Sequence, residues 1–246
     1  MCDIFAISAG HNCTSKKYLP IFAEKGRQNM NGWGIGFFRD DQAFMEKSEE
    51  QVFSQEQVHE SFQRLARVID SRIIISHINC PKSGGRHIEH RHPFKLSFLD
   101  HHWLFAHVGV VESIEEYQTT EKPRLAADVY TARIFEYLRD RMVLLHHQNP
   151  YISLYTALRI SIQKLVSDYP GEYVFFLANE SVLFAFCNYR QFLLLKESVS
   201  MGDILLITSI KEGLSQSNWQ QIMPDPQSLG ELLVIAGPDV LYAGDV

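Results

Sequence analysis

The second residue of this chain is the first candidate for chemistry. If the initiator Met1 is removed, as happens when a small residue follows, Cys2 becomes the N-terminus and carries both a thiol and a free α-amine. The unperturbed amine titrates at about 7.7–8.0 and the thiol at about 8.5, so near neutral pH the amine can take the thiol proton directly or through a water. One residue would then be nucleophile and base. A small side chain packed on a buried first strand is the alternative. A second set of residues is the run Asn29-Met30-Asn31-Gly32-Trp33-Gly34-Ile35-Gly36-Phe37, with glycines at alternating positions where a strand begins. Missing side chains there allow a ligand or another segment to approach the backbone closely. No helix follows, so this is not a dinucleotide-binding fingerprint. Further on stand Ser76-His77-Ile78-Asn79-Cys80-Pro81-Lys82-Ser83-Gly84, His90-Arg91-His92-Pro93-Phe94 and Phe105-Ala106-His107-Val108-Gly109-Val110.

The elements that must position these residues follow from hydrophobic periodicity and turn signals. A strand is expected at 2–8, a helix near 15–27, and a hairpin at 33–46 turning at Arg39-Asp40-Asp41. A helix carrying Val58, Phe62, Leu65, Ala66 and Ile69 precedes a strand at Arg72–Ile78. The Gly- and His-rich stretch 79–102 is expected to be a loop, long enough to be a functional suspect. A strand at 103–108 leads to helices at 126–147 and 151–168, broken at Asn149-Pro150, with Leu154, Leu158, Ile162 and Leu165 facing a sheet. From 172 to 243, apolar strands alternate with short turns. Ile73–Ile75 and Ile204–Ile207 are continuous apolar runs, which calls for burial on both faces and therefore for a layered α+β architecture.

In order and spacing these segments resemble the class II glutamine amidotransferases, a family of N-terminal-nucleophile hydrolases. The likeness runs through the initial Met-Cys, the glycine hairpin at Gly32-Trp33-Gly34, the strand end at His77, the His-Pro-Phe loop at 92–94, the strand end at Ala106-His107 with Gly109, and Asp128 in Ala127-Asp128-Val129-Tyr130. It extends more faintly to Ile207-Thr208-Ser209, Trp219 and Leu232-Leu233-Val234. The resemblance implies a four-layer αββα sandwich and hydrolysis of a side-chain amide through a thioester. On the matching positions Cys2 would be nucleophile and base, and the Gly109 N–H a donor to the oxyanion. Asp128 would hold the substrate ammonium, and Gly32 and His92 would shape the pocket.

The sequence departs from the family where the chemistry is most demanding. Asn79 stands where the family has the arginine that clamps the substrate carboxylate, and Val108 stands where it has the asparagine that completes the oxyanion hole. Losing one oxyanion donor typically costs about 10²–10³ in turnover, and a neutral amide lacks the charge and fork of a guanidinium. Also replaced are the Asp before Gly32 (here Asn31), the Ala-Thr pair (Pro81-Lys82) and the Asn of the His-Pro-Phe loop (His90). Lys82, Arg86 and Arg91 share that loop and could reach a carboxylate, although exposed basic residues are ordinarily solvated. The expected substrate is glutamine or a related small amide. The alternative is a non-catalytic binding or regulatory protein on the same fold.

Composition bounds the rest. The 246 residues are 46% hydrophobic with a formal charge of -6, which excludes a largely disordered chain and gives no basic footprint for nucleic acid. No apolar run reaches the roughly 18 residues of a membrane span, and the first residues lack a secretory signal, so a cytoplasmic location is expected. Cys2, Cys13, Cys80 and Cys187 are scattered without CxxC spacing. His87, His90, His92, His101 and His102 offer imidazoles but match no standard metal-ligand spacing, and neither metal nor cofactor is expected. The adjacent His146-His147 reads as a pair favouring a helix C-terminus. Residues 1–246 read as one amidotransferase-like domain, so a synthase using the ammonia would be a separate subunit.

Overall fold

The computed structural model describes residues 2–24, 32–79, 88–119, 125, 129–209 and 218–246. In chain order the elements are β1 (Asp3–Thr14), α1 (Tyr18–Ala23), β2 (Trp33–Arg39), β3 (Gln42–Ser48), β4 (Phe53–Ser54), β5 (Gln57–Val58), α2 (Glu60–Val68) and β6 (Asp70–Ile78). There follow β7 (Phe94–Phe98), β8 (His101–Val108), α3 (Tyr130–Gln148) and α4 (Leu154–Asp168). The chain closes with β9 (Val174–Ala178), β10 (Leu183–Cys187), β11 (Phe192–Val199), β12 (Gly202–Thr208), β13 (Gln220–Ile222), β14 (Glu231–Ala236) and β15 (Asp239–Asp245).

Strand alternation builds the layers. In β1, Ile4 and Ala6 face one way while Phe5, Ile7 and Ala9 face the other, and in β12 Leu205 and Ile207 oppose Ile204 and Leu206. Both strands lie in a sheet ordered β13-β11-β12-β1-β6-β2-β3, whose outer face packs on Leu19 and Phe22 of α1 and Phe62 and Ala66 of α2. The second sheet, β15-β14-β10-β9-β8-β7, turns Trp103, Phe105, Phe175 and Phe186 toward Phe135 and Leu138 of α3 and Leu158, Ile162 and Leu165 of α4. Between the sheets, Ile4, Ala6, Ile73 and Ile75 meet Leu104, Ala106, Val108 and Phe176 in a third apolar cluster. This is the αββα sandwich, with the central runs buried on both faces as their composition requires.

Two local expectations change. The stretch 79–102 is not loop throughout: Phe94, Leu96 and Phe98 alternate as β7 and turn back into β8 through Leu99 and Asp100, at φ 51° and 60°. Asp40 and Asp41 make the same left-handed pair between β2 and β3, at φ 48° and 61°, as a type I′ hairpin demands. Val58, expected on the helix, lies in β5, and α2 starts at Glu60.

The alternating glycines of β2 answer to a segment of this same chain. A Cβ on Gly34 would overlap the His92 carbonyl oxygen, and one on Gly36 would press on the Pro93 ring and the Leu104 methyls. The bare strand therefore seats the His92–Pro93 turn between the sheets. Gly34→Ala should lower stability by about 1–3 kcal/mol, the usual cost of overpacking, read as a fall in the urea midpoint at unchanged slope.

Candidate functional site

The strand register brings the separated sequence positions together. β1 and β6 pair antiparallel with Asp3 opposite Ile78, so one step further Cys2 stands opposite Asn79. β2 and β6 pair with Trp33 opposite Ile78, which sets Gly32 on the other side of Asn79, and the Asn79 N–H donates to the Gly32 carbonyl at 3.1 Å. Cys2, Asn79 and Gly32 thus line up at the ends of three adjacent strands. Across the sandwich, Val108 ends β8 and is buried in the inter-sheet cluster against which the half-buried Cys2 also packs. His77 joins the two sheet ends, its Nε2–H donating to the His107 carbonyl at 3.2 Å.

Gly109 follows Val108 at φ +137°, where a Cβ would overlap the Glu172 carbonyl. Its own carbonyl accepts from the Tyr130 hydroxyl at 2.9 Å, which pins the turn after β8 to the start of α3. Tyr189 packs on the same cluster as Cys2; burial pushes its phenol up to about 12, with Arg190 opposing and Glu172, Cys2 and Tyr130 reinforcing the shift. Arg190 itself donates to the Cys2 carbonyl at 3.4 Å and lies 3.8 Å from Asp3. The nucleophile candidate is therefore held through its backbone, while the residue packs on the cluster that contains Val108.

Three buried histidines complete the surroundings. The His92 ring lies 4.2 Å from that of His77 and 4.8 Å from that of Phe94, and neither His92 nitrogen has a hydrogen-bond partner among the described residues. His107 points to the helix side of its sheet and donates through Nε2 to the Glu172 carbonyl at 3.2 Å. Burial lowers His77 to about 3, partly offset by the His107 carbonyl, and lowers His107 to about 3 against the Glu172 carbonyl. His92 is held well below the ordinary imidazole value by burial first, then by His77, His107, Lys47 and Arg91. All three are neutral at pH 7. Sequence inspection gave no role to His77, His107, Tyr189 or Arg190. The signal available was their position at strand ends next to Asn79, Val108 and Cys2.

The other sequence candidates separate. Asp128, Lys82, Arg86, Cys80, His87 and Asn31 lie outside the described residues. His101 pairs with Glu180 at 2.8 Å and His102 with Ser97 at 2.7 Å, at the far end of β8 from Val108, and no metal-binding group of His, Cys, Asp or Glu occurs among the described residues.

The neutral histidines have a consequence for stability. Their folded pKa values lie below the unfolded value of 6.5, so they add nothing above that pH. Below it the unfolded chain takes up protons that the folded chain refuses, and stability falls by up to about 1.4 kcal/mol per pH unit for each. Lowering the pH from 7 to 5 should reduce the urea midpoint, and His77→Gln or His107→Gln should each flatten that dependence.

Comparison with known proteins agrees with this fold. The sequence pattern of the class II glutamine amidotransferases matches residues 1–202. An uncharacterized protein of Methanocaldococcus jannaschii is 28% identical over 116 residues, 47% of this chain and 32% of that protein, so the match spans about a third of that curated relative. The same fold occurs in a predicted glutamine amidotransferase from Pseudomonas aeruginosa, with TM-score 0.67 and 16% identity over 98% of this chain and 100% of that one. It also occurs in glutamine phosphoribosylpyrophosphate amidotransferase from B. subtilis, with TM-score 0.65 and 13% identity over 99% of this chain and 49% of that one. No helix among the described residues is long and apolar enough to cross a membrane. With more than half of its length matched by the family pattern, and with the expected strand ends assembled around Cys2, the chain belongs to the class II glutamine amidotransferases.

Proposed function

We propose that this protein hydrolyses glutamine or a closely related small amide through a thioester on Cys2, after removal of Met1. The observation that carries the proposal is the alignment of Cys2 with Asn79 at the strand ends, packed on the same inter-sheet cluster as Val108. In the proposed reaction the Cys2 α-amine takes the thiol proton and the thiolate attacks the amide carbon. The tetrahedral oxyanion collapses with proton transfer to nitrogen, releasing ammonia and leaving the acyl thioester. Water then adds to the thioester, and the carboxylic acid and the free thiol depart. The Gly109 N–H is the donor assigned to the oxyanion, and Asp128 the carboxylate assigned to the substrate ammonium. The ammonia would pass to a separate synthase subunit or be released.

Val108 sets the expected rate. The valine places methyl groups in the inter-sheet cluster, where no side-chain N–H can meet the developing negative charge, so one donor's worth of acceleration is forgone. Slow turnover is the expectation, and it separates this proposal from a binding protein without turnover. Ammonia release from L-glutamine should be measurable in wild type and lost in Cys2→Ala, while Val108→Asn should raise it by about 10²-fold, within the range one donor supplies. Equal background release from all three proteins would favour the binding protein.

A further inference from the structure

Arg91 is the anomaly at this site. It follows the short helical turn Ile88–His90, with its N–H on the Ile88 carbonyl at 3.1 Å, and immediately precedes the His92–Pro93 segment seated on the bare face of β2. Its side chain does not lie in solvent: the residue is 3% exposed, its Nε has no hydrogen-bond partner, and it forms no ion pair within reach among the described residues. The neighbours that act on its charge are Glu49 and Cys2, both at a distance, while burial pulls the guanidinium below its ordinary value. A guanidinium withdrawn from solvent without an ion pair is unfavourable, and proteins tolerate that where a ligand supplies the anion.

Asn79 carries a second unmet donor. Asn79 is also 3% exposed, and its Nδ2 has no partner at hydrogen-bonding geometry among the described residues. His77 feels both the Arg91 charge and the Asn79 side chain, its ring lies 4.2 Å from that of His92, the residue after Arg91, and Asn79 in turn stands opposite Cys2 across the strand ends. The unmet groups are thus the Arg91 Nε–H and the Asn79 Nδ2 amide, both donors, on segments that meet near a nucleophile candidate. A single planar monoanion satisfies such a set, and a carboxylate matches the guanidinium fork.

The geometry points to Arg91, assisted by Asn79 Nδ2, as the group that binds the carboxylate of the substrate. The positive charge missing at position 79 enters the site from the His-Pro-Phe loop instead of from β6. Because Arg91 approaches from another direction than a side chain at 79 would, the preferred substrate has its carboxylate placed differently relative to the scissile amide. This assignment rests on the proposed amide hydrolysis for its substrate class, but the binding of a carboxylate can be read without turnover.

The test is protection of Cys2 from iodoacetamide by L-glutamate, followed by intact mass, together with the shift in thermal midpoint that L-glutamate produces. Wild type should be protected and shifted upward. Arg91→Met should raise the half-protecting concentration by at least about tenfold and abolish the thermal shift. Arg91→Lys, which keeps the charge and loses the fork, should fall between them, and it carries the test if the Met variant does not fold. The compound 4-aminobutanamide, which lacks the α-carboxylate, should protect wild type and Arg91→Met equally weakly. Equal protection of wild type and both variants by L-glutamate overturns the assignment, as does absence of protection in wild type. Ammonia release is measured in parallel. Protection that depends on Arg91 without ammonia release leaves the carboxylate site standing and removes the hydrolase. Ammonia release that is indifferent to Arg91 does the reverse.

Discussion

The inner faces of the two sheets share one apolar cluster, and the chemistry proposed for this protein sits where that cluster stops. Ile4, Ala6, Ile73 and Ile75 on one sheet and Leu104, Ala106 and Val108 on the other fix the separation of the two layers. Once those faces are packed, the strand ends have no freedom: Cys2 must fall beside Asn79, and Val108 must end its strand at the same cluster. The bond from His77 to the His107 carbonyl then ties the two ends at 3.2 Å. A single apolar interface thereby determines the relative position of groups that are more than 100 residues apart in the chain.

Around that edge the polar groups are poorly matched to one another. The His77 and His92 rings meet at a tilt without charge, His92 has two unpartnered nitrogens, and Arg91 and Asn79 each keep a donor unmet among the described residues. A protein selected only for stability would replace these with apolar side chains of similar volume. Their concentration at this end of the sandwich, set against a largely apolar interior, is what supports the proposed site. Val108 pulls in the opposite direction, since it fits the cluster well and gives the chemistry nothing. The site combines retained polarity on the side of β6 and the His-Pro-Phe loop with apolar packing on the side of β8.

Much of the architecture was legible in the sequence because it depends on burial pattern. Ile73–Ile75 and Ile204–Ile207 announced sheets covered on both faces, and Asp40-Asp41 marked a hairpin whose two left-handed residues are present. The strand at Phe94–Phe98 was hidden by the histidines and prolines around it, although its own alternation was plain. At the site, the type and order of Cys2, Asn79, His92, Val108 and Gly109 could be read, and the register that sets Cys2 opposite Asn79 could not. Arg91 shows the limit most clearly. Sequence left it as one of three basic loop residues that could reach a carboxylate or lie solvated, and only the fold reveals that the loop is drawn between the sheets by the bare face of Gly34 and Gly36.

The central claim is that an N-terminal cysteine in this frame is a working nucleophile. Its most direct test is intact-mass and peptide analysis of protein from the native source after incubation with a glutamine-like diazo-ketone. The account predicts that Met1 is absent and that the adduct maps to Cys2 alone. Retention of Met1, or an unlabelled Cys2 in protein that lacks Met1, would contradict it.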